Sequence, residues 1–145
     1  MFKNILVAYD ESPEAGRALL TGIRLAKSLN AGLRVISVVE SLPPYAAYIE
    51  AEVPGGTVLL TQQAFEYYRN LQTRARQAAQ REGVVLTTEL VQGDEVHAIV
   101  ECVQRTKSDL LVLGLHRHVL LLSRVWNHTT HDLAQQLSSS ILGVH

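Results

Sequence analysis

Five short apolar runs alternate along the chain with segments that carry a helical repeat. The first run, residues 3–9 (KNILVAY), is apolar almost without interruption. Such a run suits a parallel strand covered on both faces. Residues 33–40 (LRVISVVE), 84–92 (VVLTTELVQ), 109–114 (DLLVLG) and 140–145 (SILGVH) supply four more strands. Strands that alternate with helices make a parallel sheet with helices on both faces. The predicted class is therefore α/β. No linker, repeat or low-complexity tract interrupts the pattern, so one domain over residues 1–145 is expected.

The intervening segments read as helices with recognisable ends. Ser12 is placed to cap the first helix, Pro13 suits its first turn, and Glu14 suits its positive end. Ala15, Leu19, Ile23, Ala26 and Leu29 form its apolar stripe, and NAG at residues 30–32 stops it. Residues 41–56 (SLPPYAAYIEAEVPGG) show no period and read as an irregular loop. A long helix follows over residues 57–82, with Phe65, Tyr68, Leu71, Ala75 and Ala78 as its inner face. Another covers the residues after Gly93 and faces inward through Val96, Ile99, Val100 and Val103. The last helix spans residues 129–137.

Composition narrows the functional classes. A net charge of −1 with neutral histidines offers no broad basic field for nucleic acid or anionic lipid. A single cysteine, Cys102, excludes an internal disulfide and suits a reducing compartment. No basic segment and apolar core open the chain as in a signal peptide, and no apolar run approaches the ~20 residues of a membrane helix. The expectation is a cytoplasmic protein without membrane insertion. In open parallel sheets, ligands sit beyond the carboxyl ends of the strands. The loops after the first, second and fourth strands are where a site is expected.

Three stretches carry a resemblance. KNILVAYDESPEAGRAL resembles the opening of the universal stress protein family, LRVISVVE its second strand, and GDEVHAIVECVQRTKSDLLVLG its later helix and strand. The resemblance covers nearly the whole chain. It implies a five-stranded sheet of order 3-2-1-4-5 and a homodimer joined through the last strand. ATP-binding members of that family carry G-x2-G-x9-G-[ST] after the fourth strand. Here Gly114 fits, but Arg117 and Asn127 replace the second and third glycines and His128 replaces the hydroxyl residue. Thr129 and Thr130 still offer hydroxyls just beyond. On the base side, Asp10 stands where the family keeps an acid, and Val38 where a backbone group meets adenine.

Each candidate has a plainer reading. Asp10 is either a ligand contact or a turn residue before Ser12. Arg117 and His128 form an anion pocket or are solvated loop residues, and the solvated reading is favoured. His116, His118, His128 and His131 are metal candidates by proximity, but no spacing among them is a metal signature. Cys102 reads as a core residue. Trp126, Val125 and the VLLL run at 119–122 read as packing, with an exposed docking patch for a protein partner as the alternative. Tyr45 and Tyr48 either cover a ligand or plug the loop. No nucleophile elbow, catalytic triad or phosphate-loop lysine is present in the sequence. The reading is a regulatory stress-response protein, not an enzyme, without tight ATP binding. The alternatives are a sensor that binds AMP, ATP or another anion at the strand ends, and a metal-binding protein that uses the histidines.

Overall fold

The computed structural model describes residues 1–115 and 128–145, with the backbone alone at His128. The described elements run β1 (Asn4–Ala8), α1 (Pro13–Leu29), β2 (Gly32–Val39), α2 (Ala46–Glu52), α3 (Gly56–Arg81), β3 (Leu86–Gln92), α4 (Glu95–Thr106), β4 (Leu110–Gly114), α5 (His128–Gln136) and β5 (Ser140–Val144). All strand pairs are parallel, and the sheet order is β3-β2-β1-β4-β5. This is the α/β class and strand order expected above.

β1 is the axis of the sheet. Val7 pairs with Val35 of β2 on one side and Val112 of β4 on the other. Side chains alternate across a strand, so Ile5 and Val7 enter one core and Leu6 the other. The first core takes Ala18, Leu19, Ile23 and Ala26 from α1 and Ala75 and Ala79 from α3. The second takes Ile99, Cys102 and Val103 from α4 and Leu133 from α5. Burial raises the Cys102 thiol to about 11, and nearby Glu89 adds to the shift. The thiol therefore stays protonated near neutrality, which agrees with its reading as core.

The helix ends follow the sequence. Ser12 Oγ accepts from Ala15 N at 3.1 Å and caps α1. Asn30, in the left-handed region at φ 51°, closes it. Asp94 caps α4 through His97 N at 2.9 Å.

Three expectations are corrected. The stretch 41–56 is not wholly irregular, because it contains α2. Its helix-favouring Ala and Glu residues form that turn, but Ala46 is its one buried residue, so no apolar stripe marks it. The third strand starts at Leu86 and not at Val84. Val84 N bonds back to Ala79 O in the turn after α3, and Val85 is 85% exposed. The inner face of α3 is Leu71, Gln72, Ala75 and Ala79, whereas Phe65, Tyr68 and Ala78 are only half-buried.

The β3 edge is heavily occupied by side chains. Gln72 Nε2 donates to Glu89 O at 2.7 Å. The Glu89 carboxylate is held by Arg105 and lies 3.6 Å from Arg34 Nη1. The Gln72 bond occupies a β3 backbone acceptor that a further strand would need.

Two glycines of α1 predict opposite effects. A Cβ at Gly22 would lie 2.6 Å from Val7 Cγ2, whereas nothing lies within 4 Å of one at Gly16. Gly22→Ala should destabilise by roughly 1–3 kcal/mol through overpacking. Gly16→Ala should stabilise by about 0.5–1 kcal/mol through lower chain entropy. Urea unfolding of the two variants beside the wild type checks both signs.

Candidate functional site at the strand ends

The end of β1 builds one wall of a cleft. Tyr9 N bonds to Ile36 O at 2.9 Å, and Ser37 Oγ donates to Tyr9 O at 2.7 Å. These bonds hold the chain against β2 as it leaves the sheet. Asp10 Oδ1 then accepts from Ser12 N at 2.8 Å and turns the chain into α1. Gly114 closes the neighbouring wall at the end of β4. A Cβ there would lie 2.5 Å from the Glu14 carbonyl carbon and 2.6 Å from Ala15 N. Only glycine lets β4 end so close to the first turn of α1.

The cleft between these walls has a volume of about 340 Å³. That is within the range of small-molecule sites. Ala8, Ala15, Ile36, Val38, Ile99, Leu113 and Leu133 give it apolar surface. Asp10, Glu11, Ser12, Glu40, Glu95, Thr129 and Thr130 give it polar groups, and Tyr9 and Tyr68 are its aromatic lining. A second hollow of about 440 Å³ shares Glu40, Glu95 and Thr129 with it and adds Ser41, Gly93 and Asp94. Neither is lined by Lys, Arg or His among the described residues.

Five of the sequence candidates, Asp10, Val38, Gly114, Thr129 and Thr130, therefore meet in one cleft. Asp10 makes the turn before Ser12 and also lines the cavity. His116, Arg117, His118 and Asn127 lie outside the described residues, as does the His128 side chain. The possible patch of Trp126, Val125 and residues 119–122 lies outside them too. His131 is exposed on α5, with Nε2 3.0 Å from Gln135 Nε2. Among the described residues, no group of three or more His, Cys, Asp or Glu side chains could hold a metal ion.

Tyr45 and Tyr48 are 67% and 76% exposed and do not line the cleft. The cover comes instead from α3. Tyr68 donates its hydroxyl to Glu11 Oε2 at 2.9 Å, and Tyr67 meets its ring edge-on at 5.6 Å. The sequence reading placed Tyr68 on the inner face of a helix. It missed that the side chain sits beside the loop after β1, where it meets Glu11 instead of the sheet. Glu11, Glu40 and Glu95 were also missed. Their signal was present as acids just past the apolar strands and at the start of α4.

A family model described as the universal stress protein family matches residues 1–145. The chain belongs to this family. A curated universal stress protein of Methanocaldococcus jannaschii is 26% identical over 79% of this chain and 65% of its own length. The chain thus spans less than two thirds of that relative. Universal stress protein UspA from Lactobacillus plantarum superposes with a TM-score of 0.79 at 21% identity, covering 99% of this chain and 98% of the other. A universal stress protein solved in complex with cAMP gives 0.68 at 20% identity, covering 99% and 97%. At these identities the solved structures show the fold. No described helix of this universal stress protein is long and apolar enough to cross a membrane.

The cleft makes a spectroscopic prediction. Burial raises the ionisation of both Tyr9 and Tyr68, and for Tyr68 the bond to Glu11 adds to it. The neutral phenols therefore stabilise the fold below the free tyrosine range near ~10, and that contribution is lost as pH rises through their own higher values. Of the five tyrosines, two should ionise late in an absorbance titration. Tyr68→Phe should remove the latest step. A single wild-type step with the amplitude of all five tyrosines near pH ~10 would contradict this.

Proposed function

We propose that this universal stress protein is a regulatory, non-catalytic protein of the cytoplasm that binds a small ligand in the cleft at its strand ends, without tight ATP binding. The observation that carries the reading is the meeting of Asp10, Val38, Gly114, Thr129 and Thr130 around one cavity of ligand size. Val38 brings backbone and apolar surface, Asp10 an acceptor, and the two threonines hydroxyls. This is a binding surface with polar groups on an apolar base. A solved member of the family was captured with cAMP, which supports a nucleotide-like ligand here.

The weakness toward ATP rests on the loop after β4. Glycines let backbone N–H groups approach a phosphate closely. In their place the sequence carries Arg117 and Asn127, with His128 at the hydroxyl position. Calorimetry should give an ATP dissociation constant above about 100 μM, equivalent to ~−5 kcal/mol or weaker. Micromolar binding would defeat the reading. The triple variant Arg117→Gly, Asn127→Gly, His128→Ser should bind ATP more tightly than the wild type.

We also propose a homodimer through β5. Among the described residues this strand pairs with β4 alone, and residues 141–144 are half-buried. A half-covered apolar edge favours pairing with a second copy. Light scattering at tens of micromolar protein, a range that detects modest affinity, should report twice the chain mass. A monomer at that concentration would contradict it.

A further inference from the structure

We infer that the hollow between α3 and the β3 edge docks an acidic, partly apolar peptide segment of a partner protein through Arg69 and Arg76. This inference is independent of the strand-end cleft. The hollow has a volume of about 490 Å³ and lies at the opposite edge of the sheet from β5. Phe65, Arg69, Gln72, Thr73 and Arg76 line it from one face of α3. Thr88 and Leu90, two apart on β3 and so on one side of the strand, line it from the sheet. The acid between them, Glu89, is held by Arg105 and lies 3.6 Å from Arg34 Nη1. That leaves two arginines and no carboxylate around the hollow among the described residues. Neither Arg69 nor Arg76 enters an ion pair there.

Both guanidinium groups are held in place by neutral partners. Arg76 Nη1 donates to Thr88 Oγ1 at 2.7 Å, and its Nη2 donates to Thr73 Oγ1 at 3.3 Å. Thr73 is itself fixed, because its hydroxyl donates to Arg69 O at 3.0 Å. Arg69 lies over the Phe65 ring, 5.7 Å from its centre. A hydroxyl or a ring orients a guanidinium without cancelling its charge. A guanidinium carries five N–H donors, so Arg76 keeps donors for a carboxylate. Arg69 and Arg76 are seven residues apart on the helix, a rise of ~10 Å. Each side chain leans back by about one turn, toward Phe65 and Thr73, so that separation is kept. One compact anion cannot span it, whereas a chain bearing several carboxylates can. Phe65 and Leu90 are half-buried and add apolar surface to the lining. An inorganic anion has nothing to place there, and a peptide has apolar side chains.

Fluorescence anisotropy at low salt tests this with a labelled peptide of glutamate and interspersed leucine. The copy with glutamine in place of glutamate and unlabelled tripolyphosphate serve as comparisons. The Arg69→Gln, Arg76→Gln double variant should weaken peptide binding by roughly tenfold, as the loss of two exposed charge pairs. The Arg24→Gln, Arg81→Gln variant removes the same charge from exposed positions outside the hollow and should leave binding unchanged. Thr88→Val keeps every charge but frees Arg76, and should weaken binding about threefold. In nuclear magnetic resonance spectra, the peptide should shift the side-chain Nε signals of Arg69 and Arg76 and the backbone amides of Thr88 and Leu90. The inference is overturned if the peptide does not bind, if the glutamine copy binds as tightly, or if the two double variants behave alike. Tripolyphosphate that binds more tightly than the peptide, with the same loss in Arg69→Gln, Arg76→Gln, would assign the hollow to inorganic anions instead. A change in the chain's oligomeric mass in that variant would assign it to a second copy. None of these outcomes bears on the strand-end cleft.

Discussion

A strand buried on both faces can be reached only at its ends. β1 is such a strand, with Ile5, Leu6 and Val7 at 0–1% exposure. Its two cores fill both sides, and β2 and β4 take its two edges. Anything the protein recognises near its centre must therefore approach where the strands stop. The β-α-β connections bring three such stops together. Gly114 then decides how tightly they close, because its missing Cβ lets the end of β4 press against the first turn of α1. The cleft is a product of the core, since the same packing that stabilises β1 leaves its carboxyl end as the open ground.

Charge is distributed unevenly around that ground. Acids line the cleft past the strand ends, whereas Arg69, Arg76 and Arg81 of α3 do not line it and Arg74 reaches it only electrostatically, through Tyr9. The near-zero net charge hides this separation. A total taken over the sequence says little about the potential inside one hollow, which is set by the few groups lining it.

The sequence disclosed most where burial was most complete. β1 and β4 are covered on both sides and therefore appear as unbroken apolar runs. Ser12 and Asn30 were legible as a cap and a stop because their side chains and backbone act locally. α2 was invisible because it buries little, and the start of β3 was misjudged because Val84 and Val85 are apolar without being in the strand. The site divided in the same way. Asp10, Val38 and Gly114 follow from strand ends, which topology places. Tyr68 comes from a helix, and its place beside Glu11 at the cleft depends on where α3 packs. Glu11, Glu40 and Glu95 were plain as letters, but their sharing of one cavity is a property of three dimensions.

The two edges of the sheet differ in kind. Along β3 the Gln72 side chain bonds the backbone at Glu89, whereas among the described residues no side chain bonds the backbone of Ser140–Val144 in β5. A sheet with one finished side can accept a neighbour only on the other. Two such sheets that meet by their unfinished sides leave finished sides outermost. In the homodimer proposed above, strand addition would end at the pair, and the fibre that an open-ended stack of strands would build would have no surface from which to continue.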